Sequence, residues 1–274
     1  MGSDADREST LEIDRAAVST RRFSLEVIAG PDGRDLGVSP TPLQAEPARP
    51  ISEYRFAWTD DFGGLPISAD TRAAMKKLAD DLADAGCQVE RAGPQEFDFE
   101  RVWRTYGELF GIMAFANVPT VVRAVARTFG RVMFKDVITR AGAQRATANP
   151  KRYFMVLEQR DKLIQSLERF LANYDAWLCP VMPTPAFPHR KTGNIHYPID
   201  VDGEKVPGNI AGTGYTCAFN LTGNPVVVVP LGMSSDGLPI GAQLVGPLWG
   251  EMALLNTAEA LSQITGGFRR PPGY

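Results

Sequence analysis

The sequence is short of the residues that most often announce a mechanism. It has three cysteines (Cys87, Cys179, Cys217) and two histidines (His189, His196) in 274 residues. Three scattered cysteines make neither a disulfide framework nor a zinc site with the usual ligand spacing. A reduced, cytoplasmic setting is therefore expected. Two histidines without carboxylates at fitting spacing leave no metal centre, and neither a metal nor another cofactor is expected. No sign of charge dominates either: 29 Lys and Arg stand against 32 Asp and Glu, a net −3. Nothing electrostatic points to nucleic acid or to an anionic membrane as a partner. The pairs Arg21-Arg22 and Arg269-Arg270 read as solvated surface. The valine run Val226 to Val229 falls far short of the roughly 20 apolar residues that cross a bilayer. The acidic, polar N-terminus has no apolar centre and is not expected to act as a signal peptide. No internal repeat or low-complexity tract is found.

What is present alternates between strand and helix signals. Residues 1–23 lack a clear apolar period and are expected to be weakly ordered; residues 24–274 form the rest. "SLEVIAGPDGRD" reads as a helix end closed by Ala29-Gly30-Pro31, followed by a proline- and glycine-rich surface connection from Asp32 to Ile51. "YRFAWTDD" is a short aromatic β run. The next stretch carries Met75, Leu78, Ala79, Leu82 and Ala83 at helical spacing until Gly86 stops it. With a strand at Gln88 to Arg91, this predicts a β-α-β unit and a parallel strand pair.

Residues 96–173 are expected to be mostly helical, broken at Pro119 and Pro150, with Leu157, Ile164, Leu167 and Leu171 as the buried stripe of the last helix. "AWLCP" reads as a buried strand and "VMPTPAFPHRKTGN" as loop. "GTGYTCAFNL" is short enough for one helix. "VVVVPLGM" and "LPIGAQLVG" flank Ser234-Ser235-Asp236-Gly237 and predict a hairpin. Glu251 to Ile264 is a final amphipathic helix with Leu254, Leu255, Ala258 and Leu261 inward. The class is α/β.

Four blocks in order, "DAWLCPVMPTPAF", "FNLTGNPVVVVPLG", "DGLPIGAQLVG" and "RRPP", resemble the C-terminal half of the amidase-signature family. "LEVIAGPDGRD" and the segment from "RFAWTDDFGGLP" to "GCQVE" resemble its middle region, so the likeness runs from about Leu25 to Pro272. It implies a mixed central sheet covered by helices. It implies hydrolysis of carboxamides to acid and ammonia by a serine nucleophile, a second serine in a cis peptide and a neutral lysine. Such a Ser-Ser-Lys set needs no histidine, metal or cofactor.

In the family those catalytic residues precede the part this chain resembles. No Gly-Gly-Ser-Ser-Gly-type loop occurs here, and the pair Ser234-Ser235 sits in the predicted hairpin turn. The expectation is an incomplete amidase-signature fold with no catalytic residue of its own, inactive alone. It would be a truncated product, one half of a split enzyme, or a non-catalytic binding module. The half-domain reading also predicts an open sheet edge and an uncovered apolar face, hence self-association or a complementing fragment.

The resemblance places the segment before the valines at the substrate cleft. Thr213, Thr216, Phe219 and Asn220 would line it, with Gly223 allowing close backbone approach; the plain alternative is that Asn220 and Thr222 only cap and turn the chain. The A subunit of tRNA-dependent amidotransferases shares this fold and is similar, but places an acidic residue where Thr213 falls. Threonine there lacks the ion pair that glutamine's amine would make and argues for a general amidase rather than a glutamine-specific one. A Cys-His pair drawn from Cys179, Cys217, His189 and His196 is chemically sufficient for amide hydrolysis. Cys179 lies in a buried strand and Cys217 on an apolar helix, where free cysteines serve as small hydrophobes. "TDDFGG" is expected to be a turn. "ELFGIMAFANV" reads as core or pocket wall, in a region that shapes substrate access in the family.

Overall fold

The computed structural model describes residues 22–36, 38, 43, 47–147, 149–188 and 197–266. A helix, α1, covers 22–28 and ends before Gly30, which adopts φ +103°. Residues 1–21, the two histidines and the closing "RRPP" lie outside the described residues. Arg22, at the edge of this set, is part-buried: its guanidinium donates to Asn256 Oδ1 at 2.6 Å and lies 3.6 Å from Glu259.

Strands β1 (Arg55–Trp58), β2 (Gln88–Arg91), β3 (Ala176–Pro180), β6 (Val226–Met233) and β7 (Pro239–Val245) form one five-stranded sheet in the order β2-β1-β3-β7-β6. β1 runs parallel to both β2 and β3, while β7 is antiparallel to β3 and β6, so the sheet is mixed. The β1-β2 pair is joined through α2 (Ala69–Asp84), the expected β-α-β crossover. Ser68 caps α2 by accepting from the Thr71 N–H. Ala83, expected inward, stays exposed, and the buried row of α2 is Thr71, Met75, Leu78, Ala79 and Leu82.

Each face of the sheet carries its own core. Phe56, Ala176, Leu178, Val229 and Leu244 point toward α2 and α9 (Glu251–Thr265). Ala57, Trp177, Cys179 and Val245 point the other way, toward α3 (Phe99–Ala114), α6 (Pro150–Leu171) and α8 (Cys217–Thr222). This alternation follows from the two-residue period of a strand. The edge strand β6 is covered on one side only. Val229 is buried, whereas Val226 and Val228 remain 37% and 43% exposed.

The helical block also contains α4 (Thr120–Met133), begun at Pro119, and α5 (Val137–Gln144). Asn149 caps α6 and Pro150 takes its first turn. Its buried row is Val156, Leu163, Ser166, Leu167 and Leu171, so Leu167 and Leu171 are inward as expected, whereas Leu157 and Ile164 sit half-buried beside Val156 and Leu163, which take their place. α3 and α5 cross at backbone contact. A Cβ added to Gly107 would lie 2.2 Å from Ile138 O, and one added to Gly111 would lie 2.3 Å from Gly142 O. Only glycine permits that approach. A further hairpin, β4 (Ile199–Val201) and β5 (Glu204–Val206), turns at Asp202-Gly203, where φ is +51° and +92°. Asp202 Oδ2 accepts from the Ala69 N–H and pins the hairpin to the start of α2.

Candidate functional site

The stretch expected as one short helix forms two, α7 (Gly208–Thr213) and α8, with a tight turn between them. Three long-range hydrogen-bond contacts fix that turn. Trp103 Nε1 donates to Gly214 O at 2.9 Å. Gln243, buried in β7, donates Nε2 to both Tyr215 O and Pro180 O at 2.8 Å. The Tyr215 hydroxyl reaches Pro66 O at 3.0 Å. Buried polar groups this well matched hold the segment against the sheet.

The end of α8 is held as firmly. Gly223 closes the helix at φ +85° and donates its N–H to Phe219 O at 2.7 Å. A Cβ there would meet no heavy atom closer than 3.8 Å, so the positive φ, not crowding at that carbon, selects glycine. Arg160 Nε donates to Leu221 O at 2.6 Å. Asn224 Nδ2 bridges Glu168 Oε1 at 2.6 Å and Gly246 O at 2.9 Å. Glu168 also accepts from the Leu248 N–H, so one carboxylate of α6 ties two loops together.

Between α3, α5 and α7 lies a cavity of about 410 Å³. Its wall is apolar, from Tyr106, Phe110, Phe115, Phe134 and Ile138. Its polar edge is Thr139, Asn209 and Thr213. Asp136 organises that edge from behind. It caps α5 through the Thr139 N–H, accepts from Thr139 Oγ1 at 2.7 Å, and accepts from Asn209 Nδ2 at 3.2 Å. Burial pushes the Tyr106 phenol above its ordinary value, so it stays a protonated donor. An apolar wall with a few fixed polar groups is the usual form of a small-molecule pocket.

Of the residues singled out in the sequence, Thr213 lines this cavity. Thr216 starts α8, its hydroxyl 3.3 Å from Thr213 O. Phe219 lies beneath, buried between Phe62 and Trp177 at ring separations of 6.1 and 6.0 Å. Asn220 and Gly223 are exposed on the far side of α8, and Thr222 is buried with its hydroxyl on Ala218 O. Tyr106, Asn209 and Asp136 are not among the residues the sequence singles out. Asn209 carries no local signal, because its partners lie some 70 residues away.

The rejected nucleophiles are placed unambiguously. Cys179 and Cys217 are wholly buried and free. Desolvation pushes the Cys217 thiol up to about 12 and Cys179 well above its ordinary value, so neither offers a thiolate. The "TDDFGG" turn is structural: Asp60 pairs with Arg72 and Arg91, and Asp61 accepts from the Gly64 N–H at 2.9 Å. Ser235 is bonded through both its N–H and its hydroxyl to Asp70. Among the described residues no His, Cys, Asp and Glu cluster could hold a metal ion, and no helix is long and apolar enough to cross a membrane.

Comparison with known proteins follows the same lines. The family model described as Amidase matches residues 16–255. The chain is 32% identical over 154 residues to the A subunit of the glutamyl-tRNA(Gln) amidotransferase of Methanococcoides burtonii, covering 54% of this chain and 29% of that protein. It is 36% identical over 141 residues to its counterpart in a Jannaschia species, covering 52% and 26%. Among solved structures it is similar to the A subunit of the glutamyl-tRNA(Gln) amidotransferase of Thermotoga maritima (TM-score 0.63, 19% identity, 89% of this chain and 51% of that one). It is also similar to a bacterial aryl acylamidase of the amidase-signature family (TM-score 0.60, 18% identity, 79% and 44%). The chain thus spans between about a fifth and a third of the curated relatives it matches, and about half of the solved chains.

Proposed function

The chain belongs to the amidase family, and we propose that it supplies the substrate-holding part of a carboxamide hydrolase. The cavity between α3, α5 and α7 carries this reading, because its aromatic wall ends on one polar edge at Thr213. In the proposed complex the acyl portion lies against Tyr106, Phe110 and Ile138. The carboxamide lies at the Thr139-Asn209-Thr213 edge. Thr216 and Phe219 support that edge through α8, Phe219 from the core, while Asn220 and Gly223 face away from the cavity and take no part in holding the amide.

The chemistry is that of the family: a serine oxygen attacks the amide carbon, ammonia leaves carrying a proton, and water then releases the acid. These 274 residues hold no Gly-Gly-Ser-Ser-Gly-type loop, so residues outside them supply the Ser-Ser-Lys set. The described chain is the C-terminal portion of one amidase domain, working in the cytoplasm. Val226 and Val228 on the open side of β6 are where the complementing portion docks.

A second reading has its own support, since the curated relatives are named as A subunits of glutamyl-tRNA(Gln) amidotransferases. In that case the natural amide is glutamine and the chain works within a complex. The cavity edge argues against it, because Thr213 and Asn209 offer no carboxylate to an ammonium group, and Asp136 is already engaged by three donors.

The test is an ammonia-release assay on the pure chain and on the chain mixed with an amidase-family N-terminal half, using aryl amides, alkyl amides and glutamine. Activity on aryl or alkyl amides only after mixing supports the proposal. Preference for glutamine selects the second reading. Turnover by the pure chain, blocked by a serine-directed phosphonate, overturns the assignment of the nucleophile to other residues. Apolar amide binding without turnover in either sample leaves a binding module.

A further inference from the structure

A second recess opens on the other flank of the α3-α5 crossing and shares no lining residue with the apolar cavity. It is about 510 Å³ in volume and is lined by four arginines, Arg104, Arg140, Arg145 and Arg152, against two carboxylates, Glu100 and Glu108. The local balance is 4 − 2 = +2, in a chain whose total is −3. Positive charge is therefore concentrated here against the trend of the whole molecule.

The two carboxylates do not cancel the arginines evenly. Glu108 is 3% exposed. Arg152 places Nη2 on its two oxygens at 2.7 and 2.6 Å, with Nε at 3.2 Å. Arg145 Nη2 adds a bond at 2.8 Å. Glu108 is thus consumed in orienting two guanidinium groups. Arg145 Nε remains buried without a hydrogen-bond partner. An unmet buried donor of this kind costs free energy unless something accepts from it.

Arg140 is held but not neutralised. Its Nη2 donates to Lys135 O at 2.8 Å and its Nε to Phe134 O at 3.4 Å, and among the described residues it makes no ion pair. Arg104 pairs with Glu100 one helical turn away, where both are largely exposed and free to rearrange. A pair of that kind is weak. The recess therefore presents preset guanidinium groups with two positive charges left over.

We propose that this recess binds a phosphate group, free or carried as a monoester by a small molecule. Phosphate brings close to two negative charges at neutral pH and several acceptor oxygens, which match the excess charge and the guanidinium forks. A carboxylate would meet only half of that charge. The inference is independent of the amidase reading, because it uses none of the cavity residues.

The test is isothermal titration of the full chain at low ionic strength with inorganic phosphate, phenyl phosphate and acetate. Saturable phosphate binding, tighter than acetate and weakened by added salt, is expected. Arg140→Ala should weaken it about tenfold, the change expected from one charge-assisted hydrogen bond, while Arg140→Lys should keep part of it. Arg104→Gln serves as the second variant if Arg140→Ala does not fold, and Lys205→Ala, in a distant ion pair, is the control. Tighter binding of phenyl phosphate than of inorganic phosphate assigns the site to a monoester, and the reverse order assigns it to the free ion. No saturable phosphate binding, equal affinity for acetate, or unchanged binding in both arginine variants overturns the proposal.

Discussion

Replacing Gly107 with alanine tests the geometry on which the apolar cavity depends. The new Cβ would lie 2.2 Å from Ile138 O and 3.0 Å from Ile138 C, both backbone atoms that cannot swing aside. Carbon and carbonyl oxygen in contact normally sit about 3.3–3.6 Å apart, so α3 and α5 must part by about 1 Å. Overpacking of this kind costs about 1–3 kcal/mol. The better helix propensity of alanine returns up to about 1 kcal/mol. The net expectation is a loss of about 1–2 kcal/mol, a fall in Tm of about 2–8 °C for a chain of this size. Gly212→Ala is the internal control, since nothing lies within 4 Å of its added Cβ. It should leave Tm unchanged or raise it slightly. Thermal melts followed by circular dichroism read both variants, and titration with N-phenyl-1-naphthylamine reads the cavity. Gly107→Ala should lower probe affinity where Gly212→Ala does not. If both variants raise Tm alike, the helices do not touch at Gly107 and the account of the cavity fails.

Three further outcomes are expected. Burial raises the Asp60 carboxyl, but Arg91 and Arg72 outweigh it and the folded pKa falls below 3.8. The stabilisation is then fully present above about pH 4 and is lost as pH drops through the folded value. The stability gap between wild type and Asp60→Asn should stay constant from neutral pH to about pH 5 and close below that, as denaturant melts at each pH will show. Cys179 and Cys217 should resist a thiol reagent at pH 8 until the chain is unfolded; prompt native labelling of either would contradict their burial. On the proposal that the open side of β6 is a docking face, Val226→Lys and Val228→Lys should lower any self-association seen by light scattering while changing stability by no more than about 0.5 kcal/mol, as exposed substitutions do.

The elements most legible in the sequence are those with a strong local pattern. The β6-β7 hairpin, the β1-α2-β2 unit and α9 fall where period and turn residues place them. In α6 the expected Leu167 and Leu171 are buried, while in its first half Val156 and Leu163 take the inward positions expected of Leu157 and Ile164. The β4-β5 hairpin carries a turn signal at Asp202-Gly203, but its strands of three residues are too short to show a period. Phe219 shows a different limit. Helical spacing turns it inward, but whether inward means core or cleft depends on Phe62 and Trp177, both distant in sequence. The cavity is least legible of all, since its walls come from three helices and its shape from glycines whose partners are backbone atoms of another element.

The parallel pairing of β1 with β3 also sets a timetable. The Arg55 N–H donates to Asp175 Oδ2 across 120 residues, and all of α2 to α6 lies between. At translation rates of about 5–20 residues per second, β3 emerges about 6–24 s after β1. The helices between them can form locally in that time, since their hydrogen bonds close over four residues. β1, with only β2 beside it, must wait. On the ribosome its unpaired edge is exposed for that interval, in the state in which a strand can pair with another chain.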